Sequence, residues 1–116
     1  MNERVFKRGE IYYADLSLAR GSEQGGTRPV IIVQNDVGNK HSPTVIIVPL
    51  TTVLTKSKLP THVVLYKAAD LPCKSLVLCE QIKTIDKSRL QDYKGTISSE
   101  DMNKINKALK ISLGVI

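Results

Sequence analysis

Apolar positions along the chain recur at two spacings, and the change between them separates a strand-rich body from a helical end. After Gly9, the β-branched and aromatic run Glu10-Ile-Tyr-Tyr-Ala-Asp-Leu16 predicts a first strand. Pro29-Val-Ile-Ile-Val-Gln34 predicts a second, apolar on both faces and therefore central. Thr44 to Leu50 predicts a third. His62 to Tyr66 and Leu76 to Ile82 predict two more, separated by a turn around Asp70 and Pro72. Asp86 to Leu90 reads as one helical turn and Tyr93 to Ile97 as a short last strand. From Ser98 the period lengthens. Met102, Ile105, Leu109 and Leu113 recur every three or four residues behind a capping pattern that begins at Ser98 or Ser99, with Asp101 three residues after Ser98, and Gly114 closes the segment. That is an amphipathic helix of about four turns.

The connections are polar. Residues 17–27 form an eleven-residue loop with three glycines, longer than a hairpin needs. Residues 35–43 are dense in turn formers, and Thr51 to Pro60 carries Lys56 and Lys58. Six short strands followed by one helix predict a mainly β (α+β) fold, a small antiparallel barrel in one domain over residues 1–116. A parallel sheet would need crossover helices between its strands, and this chain has its helix at the end.

With 116 residues, no Trp and one Phe, the core must be aliphatic and small, so a partner subunit is an expected source of stability. The formal charge of +6 points to a polyanionic partner, but no basic block occurs, so any binding surface must be assembled by folding. The longest apolar stretch, Val45 to Leu50, is far too short to span a bilayer. The first eight residues lack the apolar core of a secretory signal, and a cytoplasmic location is expected. There Cys73 and Cys79 stay reduced. With His41 and His62 they form neither a C-x-x-C nor an H-x3–5-H pair, so no zinc site or other metal is expected. Cys79 reads as a small buried hydrophobe.

Gly21-Ser-Glu-Gln-Gly-Gly-Thr-Arg-Pro-Val30 is the most informative stretch. Proline disfavours helical geometry at the residue before it, so Arg28 is held extended where the loop enters the sheet. The outcome is a guanidinium on a stiff stalk beneath a flexible polar flap, or, on the plainer reading, an arginine that caps a strand end. It is no phosphate-binding loop of the Gly-Lys-Ser/Thr kind, since a strand follows it. Thr51 and Thr52 end the third strand. The second and third strands read as neighbours joined by a turn, so the start of one and the end of the other share a rim, with Arg28 and Thr51 on it.

Lys7-Arg-Gly-Glu-Ile-Tyr12, Gly21 to Val30, Gln34-Asn-Asp36, Pro49-Leu-Thr51, Leu59-Pro-Thr-His-Val63, Glu80-Gln-Ile-Lys-Thr-Ile-Asp86 and Ala108-Leu-Lys-Ile-Ser-Leu113 together resemble the MazF/PemK toxins of bacterial toxin–antitoxin pairs. The resemblance covers nearly the whole chain, and G-S-E-Q-G-G-x-R-P is its most specific part. It implies an SH3-like barrel that dimerises and cuts single-stranded RNA (mRNA) at a short sequence, without a metal or cofactor. In such enzymes the substrate's own 2′-OH attacks the adjacent phosphate, leaving a 2′,3′-cyclic phosphate and a 5′-OH. The family's catalytic arginine matches Arg28 and its threonine matches Thr51. Glu23, Gln24, Asn35 and Gln81 are candidates for reading base edges, and Lys56 for attracting phosphates. His41 and His62 are not expected to be catalysts, and one of Tyr12 and Tyr13 must face the core. An acidic antitoxin segment is the expected protein partner, blocking the RNA groove. Two alternatives are a gyrase poison of the CcdB kind, disfavoured by the absence of Trp, and a non-catalytic binding barrel.

Overall fold

Consecutive residues of the central strands feed two different cores, which is why those strands are apolar on both faces. The computed structural model describes residues 4–17, 19–54 and 59–116. In chain order the elements are β1 (Glu10–Asp15), β2 (Thr27–Ile32), α1 (Asp36–His41), β3 (Thr44–Thr51), β4 (His62–Leu65), β5 (Ser75–Leu78), β6 (Lys83–Asp86), a 3-10 turn (Lys87–Arg89), β7 (Leu90–Thr96) and α2 (Ser99–Leu113). The sheet order is β4-β5-β3-β2-β1-β7, with β6 also on β3, and the pairs are antiparallel.

β3 is the branch point. One edge pairs with β2, while the other pairs first with β6 through Thr44–Ile47 and then with β5 through Leu50–Thr51. Pro49, which has no N–H to offer a ladder, sits where one partner has ended and the next has not begun. β6 and β7 lie at the two ends of the β3-β2-β1 unit and are joined by the 3-10 turn, so these five strands close into a small barrel around Tyr12, Ala14, Val30, Ile32, Val45 and Ile47. The alternate residues Ile11, Ile31, Val48 and Leu50 face a second core, covered by Ile105 and Ala108 of α2. Ile105 is wholly buried. Burying a side chain of that size is worth about 1.5–3 kcal/mol.

The helix ends as its sequence dictates. The Ser98 hydroxyl accepts from Asp101 N–H at 3.1 Å, and Gly114 closes the last turn in the left-handed region at φ +69°. Two segments differ from expectation. Leu76–Ile82 is not one strand: β5 stops at Leu78, the chain turns at Cys79 and Glu80, and β6 begins at Lys83, making seven strands instead of six. The turn-rich segment after Gln34 is a short helix, α1, because the Asn35 side chain accepts from Gly38 N–H at 2.8 Å and caps it. β7 also begins at Leu90, three residues before Tyr93.

Candidate active site and nucleic-acid interface

β2 and β3 pair Val30 with Pro49, Ile31 with Val48 and Ile32 with Ile47. Carried two residues past the first of these pairs, that register leads from Arg28 toward Thr51, and the Arg28 guanidinium reaches the carbonyl of Leu50, the residue before it. With the strand period of two, both side chains leave on the face of Val30 and Pro49. The Arg28 Nε donates to the Gly25 carbonyl at 2.8 Å, and Nη1 lies 3.5 Å from the Leu50 carbonyl. Among the described residues no carboxylate pairs with it. Its charge is held by neutral carbonyl dipoles and stays available to an anion. Thr51 is only 6% exposed, and its Oγ1 accepts from Val53 N–H at 3.1 Å. That interaction uses an oxygen lone pair and leaves the hydroxyl proton free to donate.

The glycine loop is held by hydrogen bonds of its own. Its base is closed by Leu16 N–H to the Gly26 carbonyl at 2.9 Å. Arg20 N–H donates to Glu23 Oε1 at 2.9 Å. At Gly25 a Cβ would lie 2.8 Å from the Ala19 Cβ and 3.2 Å from the Ser17 carbonyl, so only glycine fits the backbone that supports Arg28. Gly26, at φ +71°, then turns the chain into β2.

Beside this rim opens a cleft of about 480 Å³. Leu16, Pro49 and Ile82 give it apolar walls, and Glu23, Gln24 and Gln81 give it amide and carboxylate groups. Glu80 and Lys83 add one charge of each sign. Arg28 and Thr51 do not line the cleft but adjoin it: Pro49 is two residues from Thr51 on one face, and Gln24 precedes the glycine that holds Arg28.

Of the groups expected to read RNA, Glu23, Gln24 and Gln81 come together here. Gln81 has its amide committed to the loop: Oε1 accepts from Gln24 N–H at 2.8 Å and Nε2 donates to the Ser22 carbonyl at 3.2 Å. Asn35 is not brought to this rim. It lies past the far end of β2, where its side chain caps α1. Lys56 lies outside the described residues. Glu80, Lys83 and Leu16 line the cleft without having been singled out in the sequence; the polar Glu80-Gln81 pair interrupting an apolar run was the available signal.

His41 ends α1 in solvent, on Asn35's side of the molecule. The His62 side chain is 6% exposed; its Nε2 lies 3.0 Å from Glu80 Oε2, while Nδ1 has no partner. Thr61 Oγ1 donates to the other oxygen of Glu80 at 3.2 Å. Tyr12 is the tyrosine that faces the core: it is wholly buried, its hydroxyl donates to Glu10 Oε1 at 2.9 Å, and burial pushes its pKa up to about 12. It cannot stack on a base. Burial, followed by the nearby Glu80 charge, likewise raises the Cys79 thiol to about 12. Among the described residues no three His, Cys, Asp or Glu side chains converge as a metal-ligand set.

Residues 7–113 match the model of the PemK-like, MazF-like toxins of type II toxin–antitoxin systems. The chain is 49% identical over 112 residues to the endoribonuclease MazF of Staphylococcus saprophyticus, covering 96% of this chain and 93% of that protein. It is 50% identical over 113 residues to the endoribonuclease EndoA of Bacillus subtilis, covering 97% of each. A mycobacterial endoribonuclease solved in complex with its cognate antitoxin superposes with a TM-score of 0.80 at 35% identity, over 95% of this chain and 96% of that one. With the family matching residues 7–113 and two relatives about half identical along nearly the whole chain, the chain belongs to the PemK-like, MazF-like toxin family.

Proposed function

We propose that this protein is the toxin of a toxin–antitoxin pair and a sequence-specific endoribonuclease acting on single-stranded RNA. The observation that carries the reading is the rim on which Arg28, with no carboxylate partner among the described residues, reaches the end of β3 beside Thr51, whose hydroxyl proton is free. Cleavage by transfer within the substrate needs no protein nucleophile. The 2′-OH attacks the neighbouring phosphorus, the bond to the 5′ oxygen breaks, and the products carry a 2′,3′-cyclic phosphate and a 5′-OH. Charge builds on the non-bridging oxygens, and a preorganised guanidinium with a hydroxyl donor stabilises it. Arginine stays protonated at neutral pH, so Arg28 acts as a charge and a donor and not as a base.

The cleft beside the rim suits unstacked bases, with apolar walls for their faces and Glu23 and Gln24 for their edges. An acidic antitoxin segment would compete for the same cleft, and a mycobacterial relative is solved with its cognate antitoxin. Among the described residues no helix is long and apolar enough to cross a membrane. Location in the cytoplasm follows from an mRNA substrate. A homodimer accords with exposed Tyr66, Ile111 and Leu113 on a small domain.

The test is cleavage of a single-stranded RNA in EDTA with analysis of the ends. The wild type should cut and leave cyclic phosphate and 5′-OH. Arg28→Ala and Thr51→Ala should each slow cutting by about a hundredfold to a thousandfold. Cutting restored only by added Mg²⁺ would contradict the metal-free route, an Arg28→Ala protein that cuts like the wild type would remove Arg28 from the chemistry, and a wild type that binds RNA without cutting it would leave only a binding barrel.

A further inference from the structure

We infer that Gln81 is a positioning residue that clamps the glycine loop and thereby sets the Arg28 guanidinium; the catalytic half of this rests on the ribonuclease reading above. Both ends of its amide meet the loop's main chain, at the Gln24 N–H and the Ser22 carbonyl, across 57 and 59 residues of sequence. The donor is itself fixed. Gln81 N–H bonds to the Leu78 carbonyl at 3.0 Å, and Cys79 N–H to the Thr61 carbonyl at 3.0 Å, so the turn that presents Gln81 is anchored to the end of β5 and to the residue before β4. From Gln24 the next residue is Gly25, whose carbonyl holds Arg28 Nε at 2.8 Å. The path from amide to guanidinium therefore runs through two hydrogen bonds and one peptide unit. The backbone at Gly25 runs so close to Ala19 and Ser17 that even a Cβ would meet them, so a shift of Gln24 carries over to the Gly25 carbonyl.

A clamp and a base reader make opposite demands on this amide. A base reader needs free donors and acceptors facing the cleft, whereas a clamp spends one of each on the loop, as here. Loss of the clamp should slow the chemical step; Glu23 and Gln24 ride on the same loop, so the preferred cut sequence should be kept but enforced less strictly. Loss of a reader should change which sequence is cut.

The test uses the full chain with Gln81→Met, which keeps the length of the side chain without its hydrogen bonds, and Gln81→Glu, which keeps an acceptor for Gln24 N–H but sets an oxygen against the Ser22 carbonyl. Single-stranded RNA cleavage gives kcat, KM and the cut sequence, and brief trypsin treatment reports opening of the loop at the exposed Arg20–Gly21 bond. Losing two hydrogen bonds from one side chain predicts a fall in kcat of about tenfold in Gln81→Met, the same preferred cut sequence with weaker discrimination, and tryptic cutting faster by about tenfold. Gln81→Glu should lie between Gln81→Met and the wild type in both assays. A changed cut sequence with kcat retained would overturn the inference in favour of base reading. A fall in kcat without faster tryptic cutting, or the converse, would break the link between clamp and arginine. If the wild type itself fails to cut RNA, the ribonuclease reading falls, while the tryptic assay still decides whether Gln81 holds the loop.

Discussion

The Arg28 guanidinium reaches toward the carbonyl of Leu50, Nη1 to O at 3.5 Å, and so spans from the start of β2 to the end of β3. Leu50 is the residue before Thr51. This contact and the Gly25 carbonyl orient the cation without neutralising it. A flat guanidinium with two fixed nitrogens still has donors to offer to phosphate oxygens. Arg28→Lys would keep the charge and lose the fork. It should remain closer in rate to Arg28→Ala than to the wild type, measured by single-turnover cleavage, and should leave the thermal midpoint nearly unchanged.

Gly25→Ala tests the support of that arginine without touching it. The new methyl would stand 2.8 Å from the Ala19 side chain, so the loop must shift. Misplacement of a reacting group by about an ångström costs on the order of a hundredfold in rate. Kinetics should show that loss while circular dichroism and the melting curve stay near wild type, because the loop adds little to either core.

Helix α2 carries much of the second core, and its ends are specific. Ser98→Ala removes the acceptor for Asp101 N–H and should cost about 1 kcal/mol in urea denaturation. Ile105→Ala empties a wholly buried site and should cost about 2–5 kcal/mol. Neither residue touches the cleft, so specific activity at low temperature should persist in whatever fraction stays folded.

The two thiols should behave differently. Cys73 is exposed and Cys79 buried. Alkylation at mild pH followed by mass spectrometry should label Cys73 alone, and Cys79 only after denaturation. The same burial gives a pH dependence with a definite sign. A thiol whose pKa is raised from 9.0 to about 12 in the fold stabilises it fully below pH 9.0, and that contribution is lost as the pH climbs toward 12. Cys79→Ala should be less stable overall yet flatter across that window; an unchanged slope would count against the burial.

The strands were legible where local pattern and long-range pairing agree. Pro29–Gln34 reads as central because residues on both its faces are buried, and α2 announces itself through Ser98, Gly114 and the period between them. The break after Leu78 was not legible. Cys79 is as buried as Leu76–Leu78, and its N–H still bonds Thr61 on the neighbouring segment; what breaks the run is the turn closed by Gln81 N–H on the Leu78 carbonyl. Asn35 shows the opposite failure. Its capping chemistry was written locally, but a six-residue helix is too short for a period to show. At the site, Arg28 and Thr51 could be placed on one rim from strand order alone. No property of Gln81 in isolation could reveal that its amide is occupied by a loop some 57 residues earlier.

If Arg28 and Thr51 grip one phosphate, removing either should disable most of what the other contributes. Single-turnover RNA cleavage by Arg28→Ala, Thr51→Ala and the double variant measures this directly. Cooperative action predicts a double variant little slower than the worse single one. A double variant slowed by the full product of the two single effects would mean that the residues act independently, and would contradict a shared grip.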